Sequence, residues 1–198
     1  MSVLRRSMHM DRNIKDFIKV YDNALDSNIC RNIIDLAKKS EMERFEREYR
    51  PQWNMFNVTA SAEEGKNKDW LSAQNSIIPI IQHYCKEYME EFECAWWWPP
   101  QNAMEQMRLK HYDCTKGDMF DTHVDVGDHA SAKRFLSLFF YLNTVDEGGE
   151  TYFTDLDYNV EAKEGRLLIF PPTWMYPHAG KPPISNDKYL LGTYLHYA

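Results

Sequence analysis

The run Arg134-Phe135-Leu136-Ser137-Leu138-Phe139-Phe140-Tyr141-Leu142, followed after Glu147-Gly148-Gly149 by Glu150-Thr151-Tyr152-Phe153, decides the class of fold. Both apolar stretches read as strands, and the paired glycines between them supply a turn. Working outward, short apolar runs alternate with turn residues from Glu105 to the end of the chain. Strands are expected at 106–112, 120–126, 134–142, 150–153, 159–162, 166–170, 174–178 and 188–197. Lys116-Gly117-Asp118, Glu164-Gly165 and Pro182-Pro183 separate others of them. Many short strands punctuated by Gly and Pro point to a double-sheet jelly roll.

Upstream the pattern is helical. Asp26-Ser27 can cap a helix whose stripe is Ile29, Ile33, Leu36 and Ala37. A second stripe, Ile77, Ile81, Tyr84, Tyr88 and Phe92, follows Asn75-Ser76, with Pro79 tolerable in a first turn. The stretch 41–67 is charged and irregular, and reads as a long loop of a length that suits a lid. The expected layout is α+β and a single domain. In it, 1–104 is mainly helical support and loop, and 105–198 is a jelly-roll catalytic core.

Bulk composition narrows the function classes. The 198 residues can bury a core without disulfides, and the four scattered cysteines contain no Cys-x-x-Cys. A formal net charge of −7 argues against a phosphate-backbone partner, so no nucleic acid is expected. The charged N-terminus lacks the apolar region of a signal peptide, and no apolar run is long enough to span a membrane. A cytoplasmic protein with no membrane partner is the expectation.

His123-Val124-Asp125 places an imidazole and a carboxylate two residues apart, on one face if the segment is a strand. Alone the pair is common, and an ordinary surface strand explains it equally well. His178, late in the chain, offers a third ligand. Two histidines and a carboxylate with open positions suit non-haem Fe(II). His9, His83, His111 and His129 fit less well. On the last strand Lys188, Leu190, Gly192, Tyr194 and His196 alternate onto one face. If that face looks inward, a buried lysine needs an anion; otherwise Lys188 is solvated at the strand mouth. Arg134 shares a face with Leu136, Leu138 and Phe140. It could meet an anion at the barrel mouth or be an edge charge.

Taken together, these residues resemble the 2-oxoglutarate/Fe(II) oxygenases, in particular their prolyl 4-hydroxylase-like branch. The resemblance runs from about residue 17 to the C-terminus. It is carried by Asp26 to Cys30, Glu105 to Tyr112, His123-x-Asp125, Arg134 to Leu142, Gly148-Gly149-Glu150-Thr151, Gly165 to Phe170, and Lys188 ten residues after His178. The run Pro182 to Tyr189 also resembles small oxygenases of marine phages and bacteria.

The resemblance implies that His123, Asp125 and His178 bind iron. It implies that Lys188, Tyr112 and Thr151 hold the distal carboxylate of 2-oxoglutarate. Arg134, Tyr194 and His196 would lie at the substrate mouth, Tyr194 standing where tryptophan is usual. O2 is the implied co-substrate and ascorbate a candidate reductant. The implied reaction is hydroxylation of a prolyl residue in a peptide or protein, releasing succinate and CO2. The competing readings are the same chemistry on another residue or a small molecule, and a jelly-roll binding module with a vestigial iron site. Two departures bear on the substrate. The Tyr112 to His123 interval is about two residues longer than in the family, and the basic Ser/Thr-containing segment of the family has no match in 47–62.

Overall fold

The computed structural model describes residues 12–47, 51–63 and 67–198. Its helices follow from local chemistry. Asp26 caps α1 (Ser27–Lys38) by accepting the Asn28 N–H, and Cys30, Ile33 and Ala37 form the buried stripe. Asn67 caps α3 (Lys68–Glu91) by accepting from the N–H groups of Asp69 and Trp70. This helix begins well before the expected Asn75-Ser76. Pro79 therefore lies inside it rather than in its first turn. Pro79 and Asn75 are both exposed, so the carbonyl left without a partner sits on the wet side of the helix. A short α2 (Val58–Glu63) precedes it.

Two sheets form the rest. The larger contains β1 (Lys19–Tyr21), β2 (Glu43–Glu46), β3 (Gln52–Asn57), β4 (Asn102–Met104), β5 (Arg108–Tyr112), β7 (Arg134–Tyr141), β10 (Leu167–Phe170) and β12 (Lys188–Tyr197). Their order is β1-β10-β7-β12-β5-β3-β2, with β4 also pairing β12. The smaller sheet contains β6 (Phe120–His123), β8 (Thr151–Phe153), β9 (Tyr158–Val160) and β11 (His178–Gly180), in the order β6-β11-β8-β9. This is the mixed helix and double-sheet architecture expected, a double-stranded β-helix with supporting helices.

The region 41–67 departs from expectation. Its described residues are not a loop: β2 and β3 extend the large sheet beside β5, and α2 follows directly. The segment 1–104 is likewise not only helix and loop, since it contributes four strands to the large sheet. Charged residues hid β2 because one face of an edge hairpin stays in water. The expected strand 174–178 is instead a turn leading into β11.

One buried cluster joins the helices to the outer face of the large sheet through Ile33, Trp70, Ile77, Leu109, Leu136, Leu138 and Phe140. A second lies between the sheets and includes Tyr112, Phe139, Tyr141, Phe153 and Phe170. Leu136, Leu138 and Phe140 thus face the helices, while Ser137, Phe139 and Tyr141 face the intersheet space. Arg134 does not share the face of the leucines. Leu195 pairs with Leu136 and His196 with Arg134, so Phe135 is an extra residue that turns Arg134 inward. Among the described residues, no helix is long and apolar enough to cross a membrane, and all four cysteines are free.

Candidate metal centre and its cleft

Antiparallel pairing sets His178 directly opposite His123 at the β11–β6 junction. Asp125 follows in the bend just past β6, not on the strand itself. The His123 Nε2 lies 3.6 Å from Asp125 Oδ1, and the His178 Nε2 lies 3.7 Å from Asp125 Oδ2. One donor atom from each residue falls within 4.8 Å of the others, so the three could hold a metal ion.

The hydrogen bonds behind these groups orient them. His123 Nδ1 is 2.8 Å from the Asp121 carbonyl, and His178 Nδ1 is 3.0 Å from the Tyr176 carbonyl. A carbonyl only accepts, so each Nδ1 carries a proton and each Nε2 is the ring nitrogen turned inward. Ser137 donates to Asp125 Oδ2 at 2.9 Å, and Tyr194 donates to Oδ1 at 2.9 Å. Burial pushes His178 down to about 4, leaving it neutral at pH 7. Burial alone would raise the Asp125 carboxyl, but the adjacent His178 and His123 hold it below the usual carboxylate range. A neutral imidazole at His178 and an ionised carboxylate at Asp125 suit a divalent metal.

Behind the triad, Tyr112, Thr151 and Lys188 line a narrow inner pocket of about 20 Å³ together with His123 and His178. Lys188 is 1% exposed, so the last strand does turn that face inward. Its register partner is Tyr112, and its Nζ lies 5.2 Å from the Tyr112 ring centre and 5.5 Å from that of Tyr141. Among the described residues it makes no hydrogen bond or ion pair. Burial, reinforced by Lys110, pushes its ammonium down to about 7. Thr151 accepts a 2.6 Å hydrogen bond from Tyr141.

In front of the triad opens a cleft of about 310 Å³, lined by Phe45, Trp53, Phe120, Asp125, Arg134 and Tyr194 among others. Arg134 is bidentate to Glu105 at 2.8 and 2.9 Å, and also donates to the Asp125 carbonyl at 3.0 Å. Its guanidinium sits 4.0 Å from the Tyr194 ring centre. Arg134 and Tyr194 therefore both act on Asp125 as well as lining the cleft. His196 lies one step beyond Tyr194 on the same strand face and is not among the lining residues; its Nδ1 is 2.8 Å from the Tyr197 carbonyl. His111, on the opposite face of β5, pairs with Asp187 at 2.8 Å. His9 lies outside the described residues.

Two contributors were not expected from the sequence. Ser137 looks like an ordinary strand residue, and only the packing reveals its bond to Asp125. Lys110 lines both the inner pocket and the cleft. It stands two residues before Tyr112, so the alternation that flagged Lys188 could have flagged it too.

Residues 107–196 match the family described as the 2OG-Fe(II) oxygenase superfamily. That match spans the β-core, from the strand that ends at Tyr112 to the last strand. The oxygenase is thus a 2-oxoglutarate-dependent dioxygenase, with Fe(II), 2-oxoglutarate and O2 as its cofactor and co-substrates. Among solved structures, it is similar to a viral collagen prolyl hydroxylase from Paramecium Bursaria Chlorella virus-1 in complex with 2-oxoglutarate. That match has 20% identity and a TM-score of 0.63, over 94% of this chain and 100% of that one. A Pseudomonas putida prolyl-4-hydroxylase matches at 14% identity and a TM-score of 0.68, over 92% and 93% of the two chains. A Trichoplax adhaerens prolyl hydroxylase, in complex with a hypoxia inducible factor peptide, matches at 14% identity and a TM-score of 0.68, over 91% and 84%. At these identities the likeness speaks for the fold. No curated protein sequence matches the chain.

Proposed function

We propose that His123, Asp125 and His178 hold the Fe(II), that Lys188, Tyr112 and Thr151 anchor 2-oxoglutarate, and that the substrate is a prolyl residue of a peptide or protein. The observation that carries this reading is Lys188. A fully buried ammonium without an ion pair is costly, and it stands in a pocket that also contains two of the three metal donors. A dicarboxylate bound in that pocket would relieve the cost with a charge-assisted hydrogen bond from Lys188.

Fe(II) held there would supply the activation of O2, one oxygen atom going to 2-oxoglutarate as it loses CO2 and becomes succinate, the other to a substrate C–H bond. The chain's own residues supply the setting. Ser137 and Tyr194 fix the Asp125 carboxylate by a hydroxyl on each oxygen, and Arg134 fixes its backbone. Tyr112 and Thr151 offer hydroxyls to the same carboxylate end as Lys188. The inner pocket is narrow and shares Lys110, Phe120, His123 and Phe139 with the cleft, so a co-substrate filling it would exclude water. No general base is needed, and none is assigned to His111 or His196.

A prolyl substrate is supported by the aromatic wall of Phe45, Trp53, Phe120 and Tyr194 beside the triad, which suits a flat apolar ring. The similar structures named above are prolyl hydroxylases. The test is incubation with Fe(II), 2-oxoglutarate, ascorbate and a panel of proline peptides, with succinate and substrate mass as readouts. A gain of one oxygen on a peptide is expected. Succinate formation without any peptide gain would move the substrate to another residue or a small molecule. Absence of succinate formation would leave only a binding module.

A further inference from the structure

Lys110 is a second lysine in the site that the proposed mechanism does not use. Its Nζ is 4.8 Å from the Trp53 ring centre, 5.4 Å from that of Phe120 and 5.9 Å from that of Phe139. Three aromatic faces soften an ammonium charge but accept none of its hydrogen bonds. Among the described residues, Lys110 makes no hydrogen bond and no ion pair. Trp53, beside it, has an indole N–H that is also buried without an acceptor.

The nearby carboxylates are already engaged. Asp125 has a hydroxyl on each oxygen and both histidines against it. Glu105 is held by both ends of Arg134. Arg108 and Arg47 line the same cleft and leave its mouth cationic, in a chain whose net charge is −7. Burial pushes the Lys110 ammonium down, with Asp125 opposing the shift and Arg108 and Arg134 adding to it.

We propose that Lys110 is the recognition point for a carboxylate on the primary substrate, so that the enzyme selects anionic over neutral substrates. This rests on the oxygenase reading above and refines its substrate class. Lys110 sits where the inner pocket opens into the cleft, on the substrate side of Lys188. A single unpaired ammonium suits a monoanion, whereas a phosphate dianion would meet Glu105, which also lines the cleft, with Arg134 already committed. The carboxylate can belong to an acidic side chain flanking the reacting residue or to a free chain terminus.

Two matched pairs of probes separate those sources. One pair is a capped proline peptide with a flanking glutamate and its glutamine counterpart. The other is a dipeptide ending in proline as free acid and as amide. Affinities are read by calorimetry on Zn(II)-loaded protein with 2-oxoglutarate, alongside one-oxygen mass gain on the Fe(II) enzyme. The acid member of one pair should bind roughly ten- to a hundredfold more tightly. In Lys110→Met that preference should collapse to about twofold or less, and in Lys110→Arg it should persist. A thermal melt checks that both variants fold. Acid and amide binding alike in both pairs, or no probe binding at all, would overturn the proposal while succinate formation still upheld the oxygenase reading. A loss of 2-oxoglutarate affinity of tenfold or more in Lys110→Met would also overturn it, assigning the lysine to the co-substrate. Failure of the wild type to bind 2-oxoglutarate or form succinate would instead defeat the underlying reading.

Discussion

His178 and His123 are cross-strand partners on the small sheet, with ring centres 4.4 Å apart and both Nε2 atoms turned to one Asp125 carboxylate. Pairing register, rather than loop conformation, therefore sets the separation of the two imidazoles. A site placed on paired strands is stiffer than one placed on loops.

The Asp125 carboxylate is the residue on which the arrangement depends. Asp125→Ala removes one candidate metal donor and leaves the Ser137 and Tyr194 hydroxyls without their acceptor. We expect loss of 2-oxoglutarate turnover and loss of stability of about 1–3 kcal/mol. His123→Ala should abolish turnover with a smaller stability change, because His123 is the more exposed ligand at 20% against 3% for His178. Urea unfolding and Fe(II)-dependent succinate release measure the two effects, and undiminished turnover in either variant would remove the residue from the metal site.

Lys188 should separate co-substrate binding from folding. Lys188→Ala is expected to raise the 2-oxoglutarate KM at least tenfold, the size of a lost charge-assisted bond. Lys188→Met keeps most of the volume without a buried charge, so it should melt at a higher temperature than the wild type when no co-substrate is present. An unchanged KM in Lys188→Ala would place the anchor elsewhere.

The same lysine predicts a pH dependence. Its folded-state value is about 7, below the roughly 10.4 of an unfolded lysine. Between those values the unfolded chain binds more protons than the folded one. The contribution of Lys188 to stability therefore rises with pH across that window and is least favourable below pH 7. Binding of 2-oxoglutarate needs the ammonium, so above pH 7 it must take up a proton. Calorimetry at about pH 8.5, between those two values, in buffers of different ionisation enthalpy should detect that uptake, and Lys188→Met should lack it.

Gly148 tests the turn that leads into the Thr151 strand. Its φ is +78°, and an added Cβ would collide with the Pro182 carbonyl. Gly148→Ala should cost more than the roughly 1 kcal/mol of a strained φ alone. It should also weaken 2-oxoglutarate binding, since Thr151 lies three residues on. A melting temperature equal to wild type would contradict this collision as the reason for glycine here.

Much of the site was legible from one rule, alternation along a strand. It placed Lys188 and Tyr194 on a common face, and the structure buries Lys188 and brings Tyr194 to Asp125. The rule failed at Arg134, because the extra residue Phe135 breaks the alternation and composition does not mark it. It also failed in 41–67, where β2 has exposed glutamates at both ends and β3 interleaves Gln52, Asn54 and Asn57 with its apolar residues. For α3, the apolar stripe points to Asn75-Ser76 as the start, whereas the cap is Asn67; the proline inside the helix is tolerated because its face meets water.

The amino-acid sequence by itself determined the candidate donor set, His123, Asp125 and His178, and the lysine proposed to accompany it. Those depend on residue type, chain order and the two-residue repeat of a strand, all local properties. Tertiary structure alone decided what surrounds them: Ser137 and Tyr194 on the two oxygens of Asp125, Glu105 occupying Arg134, and Lys110 left among aromatic rings without an acceptor. Each of those depends on residues from strands far apart in the chain meeting across a sheet or between two sheets. Hydrogen-bond satisfaction is a property of such meetings, and no local pattern encodes it.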